Sequence, residues 1–183
     1  MKRSALLTSL FALGLTACVT DNRVPEPDMI AGAAAAELRD LTGRSLGTAT
    51  ATQEGDRIRI RIVGTNLPPG VHGAHLHAIG VCAPPDFSSA GPHWNPAGRL
   101  HGTQNPQGPH LGDLPNLLIG TDGQGTLEYV VPATQLERGD RALFDRDGAS
   151  LVIHAAADDN RTDPSGNSGA RIACGVLEPV IVR

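Results

Sequence analysis

The chain has 183 residues and a mass of 19.0 kDa, so its length corresponds to one domain of ordinary size. It is 40% hydrophobic but only 3% aromatic, with 22 Gly and 14 Pro, which excludes a long-helix bundle or a fibre and favours many turns around an aliphatic core. The net charge of −4 argues against a broad nucleic-acid-binding face, and no nucleic-acid partner is expected.

The N-terminus carries the pattern of an export signal. Two basic residues follow Met1, an uncharged apolar stretch covers 6–17, and Cys18 comes directly after a small residue. This order is typical of a secretory signal peptide, and its ending resembles the bacterial lipoprotein signal, in which the Cys is acylated and becomes the first residue. The alternative is an ordinary signal peptide in which Cys18 is incidental.

These features predict three regions along the chain. A lipoprotein-type signal peptide covers 1–17, a polar tether with a lipidated Cys18 covers 18–29, and a single domain covers 30–183. We therefore expect a protein exported to the bacterial periplasm or cell envelope and lipid-anchored to a membrane, with the lipid on Cys18 as its only membrane contact. The apolar run is too short for a membrane span.

The cysteine count is consistent with export. If Cys18 carries lipid, Cys82 and Cys174 remain in an oxidising compartment, where two thiols can form one bridge. The alternative is two buried free thiols.

The body of the chain is predicted to be all-β, with strands at the spacing of a sandwich. The clearest strand alternates Arg and Ile over 57–62, which places Ile toward a core and Arg toward water. The first strand is Ala-rich and could be mistaken for a helix. The region 79–116 has little periodicity, so a long irregular segment there is expected to be functional or held by a ligand. The predicted strands are 30–38, 44–52, 57–63, 117–120, 126–131, 150–155 and 172–182.

The histidines carry the chemistry, and all seven lie between positions 72 and 154. His75 and His77 are two residues apart, so on a strand both point to the same face. The loop that follows supplies His93, His101, His110 and Asp113.

This set of donors suits two metal sites, one of four His and one of three His plus Asp. Together the two sites need seven histidine positions, so six of the chain's seven histidines fill them only if one ring serves both ions as a deprotonated bridge. His72 is an odd number of residues from the pair, and we interpret it as a structural, hydrogen-bonded histidine.

Five segments in order resemble copper,zinc superoxide dismutase of the bacterial exported branch. The resemblance covers the domain from about residue 30 to the C-terminus, and it implies a Greek-key, immunoglobulin-like β-sandwich or flattened barrel of about eight antiparallel strands with long metal-binding and electrostatic loops. The segments are 70–77 (GVHGAHLH), 91–96 (GPHWNP), 110–116 (HLGDLPN), 151–154 (LVIH) and 166–175 (GNSGARIACG).

The resemblance also implies a role for each matching residue. Arg171 is the guanidinium beside copper, and Cys82 and Cys174 form the disulfide. Asp158 matches the carboxylate that hydrogen-bonds one copper histidine and one zinc histidine, His75 and His101, although Asp159 could take that role instead. The implied copper ligands are His75, His77, His93 and His154, and the implied zinc ligands are His93, His101, His110 and Asp113, with His93 as the bridge.

The function implied by the resemblance is dismutation of superoxide to dioxygen and hydrogen peroxide, by alternate reduction and reoxidation of copper bridged to zinc through His93. We expect Arg171 and Arg161 to attract the anionic substrate. Two other functions stay open: a non-catalytic copper- or zinc-binding envelope protein on the same fold, and an interaction module whose histidines serve only zinc-stabilised folding. The oligomeric state, monomer or homodimer, is also left open.

Overall fold

The computed structural model describes residues 28–182. The predicted signal peptide, Cys18 and the tether up to residue 27 lie outside the described residues. Among the residues that are described, no helix has the length and apolar character needed to cross a membrane.

Ten strands and one short 3₁₀ helix, Ser88–Ala90, make up the regular structure of residues 28–182. Each of the seven predicted segments contains a strand, but 172–182 divides in two at Leu177, because its first half pairs mainly with the strand at 150–154 and its second half with the strand at 28–39. The strands are β1 Asp28–Arg39, β2 Ser45–Glu54, β3 Arg57–Gly64, β4 Gly70–His72, β5 Ala74–His77, β6 Leu117–Ile119, β7 Gly125–Val131, β8 Ser150–His154, β9 Arg171–Val176 and β10 Glu178–Val182.

The strands form one curled antiparallel sheet and a small ribbon. The sheet order is β5-β8-β9-β1-β2-β3-β7, with β10 added to β1, and β4 pairs with β6 in the ribbon. The predicted all-β class with about eight antiparallel strands is therefore confirmed. This topology places β5 and β8 side by side at one end of the sheet.

Strand β3 shows how the sequence pattern builds the core. Ile58, Ile60 and Ile62 are fully buried, while Arg59 and Arg61 between them are exposed. Each buried Ile contributes roughly 1.5–3 kcal/mol relative to an exposed one.

The irregular segment 79–116 is tied to β5 by a closed set of backbone hydrogen bonds. The N–H of Trp94 donates to the carbonyl of Leu76 (2.8 Å), that of Leu76 to Gly112 (2.9 Å), and that of Gly112 to Trp94 (2.9 Å). A Cβ at Gly112 would collide with the carbonyl oxygen of Leu76, so this close approach requires glycine. The result is that His93 and Asp113 lie directly beside β5.

Candidate metal centre

Four imidazoles converge where β5, β8 and the long loop meet. His75 and His77 extend from the same face of β5, His154 ends β8, and His93 pairs with His77 through an isolated β-bridge. All four are buried, and one ring nitrogen from each lies within 4.8 Å of the others. We call this set the first histidine cluster.

Hydrogen bonds on the outer side of three of these rings determine which nitrogen is free. His77 Nδ1 donates to the carbonyl of Gly91 (2.8 Å) and His154 Nδ1 donates to the carbonyl of Gly169 (3.1 Å). His75 uses Nε2 toward Asp158 Oδ2 (2.7 Å). Because a neutral imidazole carries one proton, the opposite nitrogen of each ring presents a lone pair to the centre of the cluster.

These inward-facing nitrogens are the observation that fits a metal. Within residues 28–182, His75 Nδ1, His77 Nε2, His93 Nε2 and His154 Nε2 are buried and have no hydrogen-bond partner. Buried polar atoms are normally satisfied, and lone pairs directed at one another would repel. Four imidazole nitrogens with this arrangement suit Cu(II).

A second cluster surrounds Asp113 on the other side of His93. Asp113 Oδ1 lies 2.9 Å from His93 Nδ1, 3.1 Å from His101 Nδ1 and 3.0 Å from His110 Nδ1. His93 Nδ1 and His110 Nδ1 are 3.4 Å apart. Three imidazoles and one carboxylate at such distances match the donor set of a closed zinc site. We call this set the Asp113 cluster.

The pKa of His101 in the Asp113 cluster is shifted in the opposite direction to those of His77, His93 and His154. Burial lowers the pKa of His77 to about 2, of His154 to about 3 and of His93 to about 4, so these rings are neutral at pH 7. Burial also acts to lower the pKa of His101, but its hydrogen bonds with Asp113 and Asp158 outweigh burial and raise that pKa to about 9. For Asp113, the same histidine contacts outweigh burial and hold its pKa far below the ordinary range.

Asp158 links the clusters from outside. Its Oδ2 contacts His75 Nε2 at 2.7 Å and its Oδ1 contacts His101 Nε2 at 3.0 Å. Those are the two partners that the sequence indicated. The alternative, Asp159, is exposed and bonds within its own loop to Thr162.

The sequence did not single out the residue that holds Asp158 in place. Asn116 donates from Nδ2 to the Asp158 carbonyl (2.9 Å) and accepts the Asp158 N–H at Oδ1 (2.8 Å). The feature of the sequence that could have indicated this role is the position of Asn116 as the last residue of the HLGDLPN segment. In addition, Gly166 has φ +62°, and a Cβ there would collide with the Asp158 carboxylate.

Arg171 and the disulfide lie close to the first histidine cluster. Arg171 Nη1 donates to the carbonyl of Phe87 (2.6 Å) and Nη2 to that of Gly91 (2.8 Å), the same oxygen that accepts from His77. Cys82 and Cys174 are disulfide-bonded with a Cα–Cα distance of 5.7 Å, which confirms the predicted bridge. The bridge fastens the segment containing Phe87 and Gly91 to β9, where Arg171 begins the strand.

His72 occupies the structural position that the sequence indicated. It is buried, its Nδ1 contacts the His154 carbonyl and its Nε2 contacts the Pro68 carbonyl, both at 2.8 Å. It therefore ties β4 to the end of β8 and belongs to neither cluster.

A cavity of about 870 Å³ opens onto the clusters and is lined by His93, His110, His154 and Arg171. The family model for copper/zinc superoxide dismutase (SODC) matches residues 45–177. The chain belongs to the copper/zinc superoxide dismutase family. This family uses copper and zinc as cofactors, and the two clusters provide donors that suit both metals.

Bacterial relatives resemble the chain over most of its length. It is 40% identical over 189 residues to the superoxide dismutase-like protein YojM of Bacillus subtilis, covering 97% of this chain and 96% of the relative. It is 41% identical over 145 residues to superoxide dismutase [Cu-Zn] 1 of Aquifex aeolicus, covering 78% and 86%. Among solved structures, a SOD-like protein from Bacillus subtilis superposes with a TM-score of 0.74 at 40% identity, over 79% of this chain and 97% of the other.

Proposed function

We propose that this family member is a catalytically active superoxide dismutase, converting superoxide to dioxygen and hydrogen peroxide. The observation that carries the proposal is the double role of one ring. His93 belongs to both clusters, with Nδ1 against Asp113 and His110 and with Nε2 buried among the first histidine cluster. A single imidazole would therefore have one nitrogen for each of two ions once its N–H proton is released.

The two clusters then divide the metals between them. When bound, copper supplies the one-electron oxidation and reduction of superoxide, while zinc is redox-silent. His93 is the shared ligand in this proposal. The proposed copper ligands are His75, His77, His93 and His154, and the proposed zinc ligands are His93, His101, His110 and Asp113.

His93 is the residue suited to hold and move a proton. Its Nδ1 is engaged on the Asp113 side, at 2.9 Å from Asp113 Oδ1, so the ring keeps its orientation when Nε2 changes partner. We assign to Nε2 the alternate uptake and delivery of one of the two protons of hydrogen peroxide, and the other comes from water. Zinc-side donors tune the basicity of that nitrogen through the ring.

Arg171 is suited to bind the anion. Both of its hydrogen-bonding partners are neutral carbonyls, from Phe87 and Gly91, so its positive charge is not cancelled by a paired carboxylate. It lines the same cavity as His93 and His154. The guanidinium therefore presents charge and N–H donors where superoxide reaches the copper position.

The test is metal analysis combined with a direct superoxide assay. The full chain loaded with copper and zinc is expected to hold one ion of each and to remove superoxide near the diffusion limit, about 10⁸–10⁹ M⁻¹s⁻¹. His75→Ala is expected to abolish the activity. Protein that binds both metals yet removes superoxide no faster than free buffer would overturn the proposal.

A second function is favoured by one comparison, because the relative YojM is named superoxide dismutase-like. In that alternative the chain is a non-catalytic copper- and zinc-binding protein. Such a protein is expected to lack a copper ligand or the cavity arginine, whereas this chain has the first histidine cluster and Arg171 together. The superoxide assay separates the two functions.

We further propose that the chain is an exported lipoprotein of the bacterial envelope, with residues 1–17 as the signal and Cys18 as the lipid site. The disulfide supports export, since such bonds persist in oxidising compartments. Labelled fatty acid is expected to be incorporated into the wild-type protein and not into Cys18→Ser. Equal labelling of the two proteins would show that Cys18 is not the lipid site.

A further inference from the structure

The cavity above the clusters has charged groups beyond Arg171. Its lining contains a second cation, Arg99, and three exposed carboxylates, Asp140, Asp145 and Asp163. Superoxide is a monoanion, so its concentration at the bottom of the cavity depends on how these charges balance. Arg99 and Arg171 are the arginines of this lining, and they face three carboxylates.

Arg99, an exposed residue of the cavity lining, is held in place by a turn. The Asn95 side chain uses both of its polar atoms on Arg99: Oδ1 accepts the Arg99 N–H (3.0 Å) and Nδ2 donates to the Arg99 carbonyl (2.8 Å). Asn95 is two residues after His93, so the turn is fixed relative to the shared ligand. Gly98 within it has φ +61°, a conformation that glycine permits.

Within the described part of the chain, no carboxylate forms an ion pair with the guanidinium of Arg99. Among residues 28–182, the ion pairs of arginines involve Arg39, Arg44, Arg59 and Arg61, and none involves Arg99. Its charge is therefore available to the cavity.

Arg161, the cation that the sequence indicated together with Arg171, has a different location. Its Nε donates to Gln104 Oε1 (2.8 Å) on the surface of the loop, and it is not part of the cavity lining. The sequence-based expectation that Arg161 concentrates superoxide is therefore not supported by its position.

We propose that Arg99 is the second substrate-guiding cation, attracting superoxide into the cavity where Arg171 receives it. This inference rests on the proposed dismutase function. Asp140, which also lines the cavity and lies between β7 and β8 in the chain, acts against it by repelling the anion. One unit charge about 10 Å from a monoanion in water changes the local anion concentration about twofold, which sets the size of the expected effects.

The first test measures superoxide removal at low and high ionic strength in the metal-loaded full chain. Arg99→Gln is expected to lower the low-salt rate constant about twofold and Asp140→Asn to raise it by a similar factor. Both differences are expected to shrink above about 0.15 M salt, where screening acts within about 8 Å. Arg99→Lys keeps the charge and is expected to keep the rate, and Arg161→Gln is the matched control with no change.

The second test does not need turnover. Azide is a monoanion that can be titrated against the copper-loaded protein by absorbance, and Arg99→Gln is expected to weaken its apparent affinity about twofold at low salt while Arg161→Gln leaves it unchanged. A purely structural role for Arg99 would not reproduce the salt dependence or the retention of activity in Arg99→Lys.

The outcomes separate this inference from the function on which it rests. If the wild-type protein removes no superoxide, the proposed function fails, and azide binding still decides the role of Arg99. If the wild type is active but Arg99→Gln has the wild-type rate, salt dependence and azide affinity, the guiding role is wrong. A larger effect from Arg161→Gln than from Arg99→Gln would also overturn it.

Discussion

The two halves of the metal centre are built differently, although they share His93. The first histidine cluster extends mostly from β5 and β8, the outer nitrogens of His77 and His154 bond to backbone carbonyls, and burial keeps those two rings neutral. The Asp113 cluster lies in the irregular loop and depends on a carboxylate that contacts three rings. The sheet therefore holds His77 and His154 in the neutral form that binds a metal. In the Asp113 cluster, by contrast, His101 must release a proton before zinc can bind.

The largest effect is expected from removing one ligand of either half. His77→Ala is expected to lose copper and all dismutase activity above background while it still binds zinc, because the Asp113 cluster keeps all its donors. His110→Ala is expected to do the reverse for zinc and to keep a copper signal. Metal analysis with visible absorption checks both variants, and simultaneous loss of both metals in each would contradict a division into two halves.

Removal of the disulfide is expected to affect the first histidine cluster more than the Asp113 cluster. The bridge closes a separation of 92 residues, for which the chain-entropy account gives about 4–5 kcal/mol of stabilisation. It also secures the carbonyls that hold Arg171 and His77.

Denaturant unfolding of metal-free wild type and Cys82→Ser/Cys174→Ser measures the difference in free energy of unfolding. Zinc affinity serves as the control and is expected to change less than copper affinity. A change in the free energy of unfolding below about 1 kcal/mol would show that the disulfide does not stabilise the fold as expected.

Asp158→Asn is expected to weaken both halves together. The carboxylate orients His75 in one half and His101 in the other, and loss of such an outer partner costs roughly 10–100-fold in metal affinity. Chelator competition measures both affinities, with Asp159→Asn as the adjacent control. If only one metal were affected, Asp158 would not be a link between the halves.

The effect that distinguishes the halves most sharply is the pH dependence of metal affinity. In the metal-free protein the pKa of His101 is raised to about 9, so below that pH zinc must displace a proton from this ring. The affinity of the protein for zinc is therefore expected to rise with pH up to about 9, by up to tenfold per pH unit. The pKa values of His77 and His154 are lowered to about 2 and 3, so these rings release no proton between pH 5 and 8. Chelator competition at several pH values checks the contrast, and the same slope for both metals would contradict it.

Much of this arrangement could be predicted from the sequence. Strand β3 followed from the Arg–Ile alternation, and the pair His75 and His77 followed from the two-residue period of a strand. The position of Asp158 and the disulfide followed from the family resemblance.

Other features depend on contacts between distant segments, which no local pattern encodes. The division of the last predicted strand at Leu177 reflects a change of pairing partner from β8 to β1. Asn116 forms hydrogen bonds with Asp158, and Asn95 forms hydrogen bonds with Arg99. Loop packing sets the geometry of both contacts. The position of Arg161 outside the cavity lining depends on the same loop packing, since charge in a sequence does not reveal which side of a loop a residue occupies.

The most direct test of the shared ligand is a crystal structure of the oxidised protein loaded with both metals, with anomalous data at the copper and zinc absorption edges. The account predicts copper within about 2.0–2.1 Å of His93 Nε2 and zinc within about 2.0–2.1 Å of His93 Nδ1. A His93 ring bound to a single ion, or both ions on the same side of that ring, would contradict it.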